Sequence, residues 1–256
     1  MAKAEKSNKL DKLEQLRQKH LELTKESGSK GNNNPDLYLK VNDGTTVIRI
    51  LPSKDDSDPF YAETKIHRVR MPDKEYENNV HCRRINGEDC PLCTLYLALW
   101  KTKVKDDEKM ARAIKPRERF FINVIDRESD KVKIFSLGSK LFTKIVSTML
   151  DADFGDITDL KDGHDYKVIK SIVEGYPNYD QSQARPKSEP AGTDKQISEY
   201  MGSLHDIKAC IDVKSYDDVK VIAEAITPSH LRDRGRNEDS GDSEPSSDAA
   251  FKKARV

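Results

Sequence analysis

Three of the four cysteines in this chain fall within His81-Cys82-Arg83-Arg84-Ile85-Asn86-Gly87-Glu88-Asp89-Cys90-Pro91-Leu92-Cys93, and that crowding constrains the fold more than any other feature. The two-residue gap in Cys90-Pro91-Leu92-Cys93 lets both sulfurs reach one ion from a tight turn, which is the spacing of a zinc site. Tetrahedral zinc needs a fourth donor, and the sequence offers His67 or His81. Neighbouring strand residues point to opposite faces, so His81 and Cys82 would not easily share an ion, which favours His67. Four protein donors leave no open coordination position, so such a zinc is structural. The competing readings are a disulfide or plain buried thiols. The first thirty residues carry Lys and Glu throughout with no apolar run, so a signal peptide, and with it an oxidising compartment, is not expected.

Hydrophobic and charged residues each make up 35% of the chain, too polar a balance for all of it to pack. No apolar stretch approaches the length of a membrane span. The net charge of zero is unevenly spread: residues 61–121 hold more Lys and Arg than acids, whereas Glu238, Asp239, Asp242, Glu244 and Asp248 form an acidic run. Such a tail can fold back on a basic site or recruit partners.

Residues 1–26 read as a helix with a narrow leucine stripe, followed by a Gly/Ser/Asn linker to residue 35. This arm on a tether suits docking on a neighbouring copy. Strands are expected at Thr45–Pro52 and Phe60–Val69, and a helix at Thr94–Lys101 with Trp100 as a packing residue. A strand pair follows at Arg119–Ile125 and Lys131–Gly138. Period two puts Phe120, Ile122, Val124, Val132 and Ile134 in the core. The opposite faces carry Arg119, Phe121, Asn123, Lys131, Lys133 and Phe135, a pattern that suits stacking of unpaired bases flanked by phosphate contacts. Ser139–Leu150 reads as an amphipathic helix, and Asp151–Asp165 as a solvated acidic loop. Tyr166–Val173 is a further strand, leading to a Gly/Pro/Asn loop whose Tyr176 and Tyr179 suit base stacking better than a core. Residues 183–194 read as a polar connector and 195–226 as a broken helix with Cys210 buried. Disorder is expected from 228.

The expected fold is mainly β with helices (α+β): an OB-type five-stranded barrel over 36–227 with a zinc-binding subdomain at about 61–115. A flexible arm at 1–35 and a disordered acidic tail at 228–256 flank it.

These features resemble the single-stranded DNA-binding, helix-destabilising proteins of T-even-like tailed bacteriophages over roughly residues 37–226. The likeness rests on Arg49-Ile50-Leu51-Pro52, the His then Cys, Cys-Pro-x-Cys order, the Lys131–Ile145 segment and Tyr176-Pro177-Asn178-Tyr179-Asp180-Gln181-Ser182. It implies zinc at His67, Cys82, Cys90 and Cys93, an OB fold holding the DNA cleft, and stacking by Tyr176 and Tyr179. Arg49 joins the expected contacts, and either Phe120 or Phe121 faces DNA. The implied role is non-enzymatic protection of unwound phage DNA in replication, recombination and repair, in the cytoplasm of the infected bacterium. Neighbouring copies would engage the arm, and replication and recombination proteins the tail.

Two other classes compete. A zinc nucleobase deaminase or nuclease needs His-x-Glu and an open metal position, and neither His67 nor His81 has Glu two residues on. A duplex-reading zinc regulator wants a basic recognition helix after the metal site, yet Thr94–Lys101 is mostly apolar.

Overall fold

The computed structural model describes residues 36–55 and 57–234. In chain order the strands are β1 (Gly44–Ile50), β2 (Tyr61–Arg70), β3 (Glu77–His81), β4 (Arg117–Asp126), β5 (Lys131–Gly138), β6 (His164–Val173), β7 (Tyr176–Asn178) and β8 (Gln183–Ser188). The helices are α1 (Pro91–Lys101), α2 (Lys105–Ile114), α3 (Ser139–Met149), α4 (Asp194–Gly202), α5 (Tyr216–Ile226) and α6 (Ser229–Arg234). This is a mixed α+β fold with antiparallel sheet. The expected arm and the acidic run lie outside the described residues. Among those residues the chain forms two compact units, 36–62 with 121–207 and 63–120 with 208–234. The cysteine-bearing unit is therefore discontinuous, taking in a C-terminal segment as well as the insertion expected at about 61–115.

In the first unit β1 is the middle strand. Its β-branched run pairs antiparallel with β4 on one side and β6 on the other, and Ile48 and Ile50 are fully buried. β5 pairs with β4, while β7 and β8 both pair with β6. Leu37–Leu39 adds to β5 through hydrogen bonds with Ile134, each 2.9 Å. Among the described residues this path does not close into a ring. The connector expected at 183–194 instead holds β8 and a capping box, in which Thr193 and Gln196 exchange hydrogen bonds at the start of α4.

Arg49, expected on a DNA-contacting surface, is fully buried. Asp165, expected in a solvated loop, is its direct cross-strand partner and equally enclosed. Arg49 Nε donates to Asp165 Oδ1 at 3.0 Å, and its Nη1 and Nη2 donate to the carbonyls of Asp159 and Glu189 at 3.3 and 2.6 Å. Arg127 closes on the same carboxylate at 2.8 Å and donates to the Ala191 carbonyl at 2.7 Å. A guanidinium is buried at tolerable cost only when a carboxylate and further acceptors meet it in this way, which is why this arginine is structural.

The outward face expected of β4 is also covered. Asn123 donates to the His205 carbonyl at 3.0 Å and accepts from its N–H at 3.1 Å, while Ile125 packs with Leu51, Ala191 and Tyr200. Phe121 is only 7% exposed, and Phe135 on β5 only 5%. These two phenylalanines belong to the interior, so they do not form an exposed stacking platform. Phe120 is buried too.

In the second unit β2 pairs with β3, and α1 packs against α2 and α5. Val69, Val80, Leu92, Leu95, Leu99, Ala111, Ile114, Val219 and Ala223 fill its core. The tail expected from 228 begins as α6. There Leu231 packs on that core, His230 meets the buried Asp107 at 2.9 Å, and Arg232 Nε donates to the Thr227 carbonyl at 2.8 Å. Cys210 is half-buried in a short 3-10 turn.

Asp165→Ala removes the carboxylate and leaves Arg49 buried without its counter-charge. The expected cost is about 3–5 kcal/mol, the usual result of breaking one side of a buried pair, read as a lower urea midpoint.

Candidate functional site

Four metal-ligating side chains converge in the second unit. His67 lies on the buried face of β2, opposite Val80 of β3. Cys82 follows directly after β3, held by its N–H to the Lys65 carbonyl at 2.7 Å. A 3-10 turn at Arg83–Asn86 then reverses the chain, and Gly87 ends it with φ 74°, a left-handed conformation that glycine adopts without strain. Arg83 braces the return by pairing with Glu88 at 2.6 Å and donating to the Asp89 carbonyl at 3.1 Å. Cys90 precedes α1 in extended conformation, Pro91 starts the helix, and Cys93 sits in its first turn.

The four donor atoms all lie within 4.8 Å of one another, and all four residues are buried. His67 Nε2 is 3.5 Å from both Cys90 Sγ and Cys93 Sγ, and Cys82 Sγ is 3.5 Å from Cys93 Sγ. A tetrahedron with Zn–S of about 2.3 Å and Zn–N of about 2.0–2.1 Å has edges of roughly 3.5–3.8 Å, so the spacing fits zinc. It does not fit a disulfide, whose sulfurs stand about 2.05 Å apart. His67 Nδ1–H donates to the Ile114 carbonyl at 2.7 Å, which fixes the tautomer with the Nε2 lone pair facing the sulfurs. That carbonyl had no sequence signal, because it is backbone at the end of α2.

Burial would lower the His67 pKa, but hydrogen bonds with Cys82, Cys90 and the Ile114 carbonyl push it up to about 9. Hydrogen bonds from Cys82 and Cys93 hold the Cys90 thiol well below its ordinary range, whereas Cys93, bonded to Cys82 and Cys90, is pushed well above it. The donors share protons in a dry space, and a soft-ligand dication can take those protons' place. His81 stands apart from the cluster: its Nδ1 is 3.0 Å from Thr64 Oγ1, and burial lowers its pKa.

The expected DNA-contacting residues scatter. Besides the buried Arg49, Phe121 and Phe135, Arg119 is half-buried and Lys133 is tied to Asp126 at 2.7 Å. Lys131 is exposed. Tyr176, expected in a loop, opens β7 in a tight hairpin with β6, whose turn residues Glu174 and Gly175 have φ 51° and 80°. Tyr176 is 76% exposed, beside the exposed Ile172 and Val173, and Tyr179 is half-buried.

The fold and the cluster define a mixed α+β protein with a buried Cys3His centre able to hold a metal ion. The chain belongs to the family described as gp32 DNA binding protein like, whose model matches residues 42–227. It is similar to a protein of Enterobacteria phage T2 named single-stranded DNA-binding protein, with 25% identity over 196 residues, or 69% of this chain and 63% of that protein. It is likewise 25% identical over 224 residues to the protein of the same name from Enterobacteria phage T4, covering 77% of this chain and 73% of the relative. The chain thus spans less than two thirds of the T2 protein's length.

The centre should take up about one equivalent of zinc per chain, measured by atomic emission after dialysis. Cys90→Ser should lose it while His81→Ala keeps it, and chelation should lower the melting temperature by an amount worth several kcal/mol. Retention of zinc by His67→Ala together with its loss from His81→Ala would reverse the assignment.

Proposed function

We propose that this protein binds single-stranded DNA with little sequence preference and that His67, Cys82, Cys90 and Cys93 hold a structural zinc ion. Membership of the family is the observation that carries this reading, reinforced by relatives named single-stranded DNA-binding protein. The role follows as protection of unwound phage DNA during replication, recombination and repair, in the cytoplasm of the infected cell. The arm and the acidic tail are proposed to serve neighbouring copies and replication or recombination proteins.

The short antiparallel strands of the first unit, with α3 between β5 and β6 in sequence, are read as a variant of the OB architecture. Its β6–β7 hairpin supports DNA contact: Tyr176, Ile172 and Val173 expose apolar surface that water does not favour. Lys167 and Lys170, three residues apart and so on opposite faces of the same strand β6, are both half-buried, and Lys170 pairs with Asp43 at 3.0 Å. Stacking on a tyrosine face is sequence-tolerant because every base has a π-face, and lysines supply the salt-dependent attraction to phosphates. A zinc ion bound by four protein side chains has no position left for substrate, so the reading is of a binding protein and not an enzyme.

Labelled oligo-dT and a duplex of equal length, titrated across a salt series and followed by anisotropy, test this. The single strand should bind more tightly, and its affinity should fall steeply with salt. Tyr176→Ala should weaken binding by about 1–3 kcal/mol, the usual worth of one stacked base. Duplex binding as tight as single-strand binding would refute the reading.

A further inference from the structure

Arg83 directly follows Cys82 of the donor set, yet its guanidinium reaches past the metal loop to a distant part of the chain. Its Nη2 pairs with Glu88 at 2.6 Å and its Nε donates to the Asp89 carbonyl at 3.1 Å, so it grips the two residues that lead into Cys90. Its Nη1 donates to the Lys214 carbonyl at 2.6 Å, 131 residues later. The guanidinium carbon also stands 6.0 Å from the ring centroid of Tyr216, at the outer limit of a cation–π contact, which adds little. Reaching three acceptors at once takes the rigid fork of an arginine, and hydrogen bonds from a charged donor are the stronger kind.

Lys214 and Tyr216 flank Ser215, whose hydroxyl caps α5 by accepting from the Asp218 N–H at 3.2 Å. Arg83 therefore fixes the point at which α5 begins. That helix has 11 residues, and it includes the β-branched Val219, Val221, Ile222 and Ile226. So short a helix is marginal in water by itself, so it persists through docking. Its apolar hold is modest: Val219 and Ala223 are buried, with Ile222, Ile226 and, from α6, Leu231 partly so. At the far end His230 Nε2 lies 2.9 Å from the Asp107 carboxylate.

Both attachments of α5 lead back to the donor set. Val219 and Ala223 pack in the same cluster as Cys82, Cys90 and Cys93, and the position of Arg83 is set by the loop that a shared ion closes between Cys82 and Cys90. We propose that residues 212–234 form a metal-dependent strap with Arg83 as its clasp: the closed metal loop docks α5 and α6 on the unit, and loss of the ion releases them. This rests on the zinc reading above and extends it from the loop to the C-terminal helices.

Hydrogen exchange of the full chain, read by mass spectrometry with zinc content measured on the same samples, tests the strap. Chelation should speed exchange at the Val219–Ile226 amides. Zinc-loaded Arg83→Ala should do the same by roughly 10- to 100-fold, as loss of one hydrogen bond from a charged donor does, while the Leu95–Leu99 amides of α1 keep their protection. Should Arg83→Ala fail to hold zinc, Arg83→Lys takes its place, since it keeps the charge beside Glu88 but cannot reach Asp89 and Lys214 together. Equal protection of α5 with and without zinc, or in the zinc-loaded variant, overturns the strap and leaves the metal centre standing. Faster exchange of α1 and α5 alike in the zinc-loaded variant is general loosening and removes Arg83 as the clasp. A chain that takes up no zinc defeats the metal reading and the strap with it.

Discussion

One enclosed carboxylate ties together the first unit. Asp165 receives Arg49 from the neighbouring strand and Arg127 from the turn after β4, and other N–H groups of those guanidiniums go to the carbonyls of Asp159, Glu189 and Ala191. Five separate stretches of chain therefore meet at one point. A buried ion pair contributes little net stability by itself, since desolvation cancels most of the attraction. Its larger effect is on register. Arg49 and Asp165 are direct partners across β1 and β6, and a slip of one residue would bury a guanidinium with no carboxylate opposite. Charge thus enforces the same alignment that hydrophobic alternation requires of Ile48 and Ile50. Burial lowers the Arg49 pKa, and the Asp165 charge opposes that shift.

The second unit solves a similar problem with different chemistry. Three thiols and an imidazole from β2, the end of β3 and the start of α1 are buried together, and only His67 Nδ1 has a backbone acceptor, the Ile114 carbonyl. The arginines of the first unit satisfy their carboxylate with fixed charges. Sulfur donors crowded at 3.5 Å instead share protons or a metal ion, so the local fold and the ionisation of the cluster are linked. The turn from Cys82 to Cys90 depends on Gly87 and on the Arg83–Glu88 pair, which is how residues eight apart in sequence return to one point.

Much of this was legible in the sequence. The strands β1, β2, β4, β5 and β6 and the helices α1 and α3 stood out because β-branched runs and periodic leucines reflect burial directly. The convergence of His67 with the three cysteines followed from strand alternation and the two-residue gap. Strand β3 was not legible: Glu77-Asn78-Asn79-Val80-His81 has one β-branched residue and owes its conformation to pairing with β2. β8 carries Pro186 and reads as a loop until β6 pairs with it. Helix α2 was within reach, since Asp106, Asp107 and Glu108 open it as helix N-termini prefer. The misplaced residues share one cause. Nothing local marks Arg49 as buried, since its carboxylate partner Asp165 comes 116 residues later, and Asn123, on the same face of β4 as Phe121, is capped by His205, 82 residues later.

Two of the exposed aromatic residues, Tyr176 and Trp100, project from elements held firmly at their other ends. Tyr176 stands at the far end of a hairpin whose strand β6 begins beside the Asp165 cluster. Trp100 stands at the last turn of a helix whose first turn carries Cys93 of the buried donor set. On the proposed single-strand-binding reading, a ring whose backbone is already positioned adds no ordering cost of its own when a base stacks on it. Interior charge and interior sulfur in this way serve the surface. They hold in place the backbone from which each ring projects.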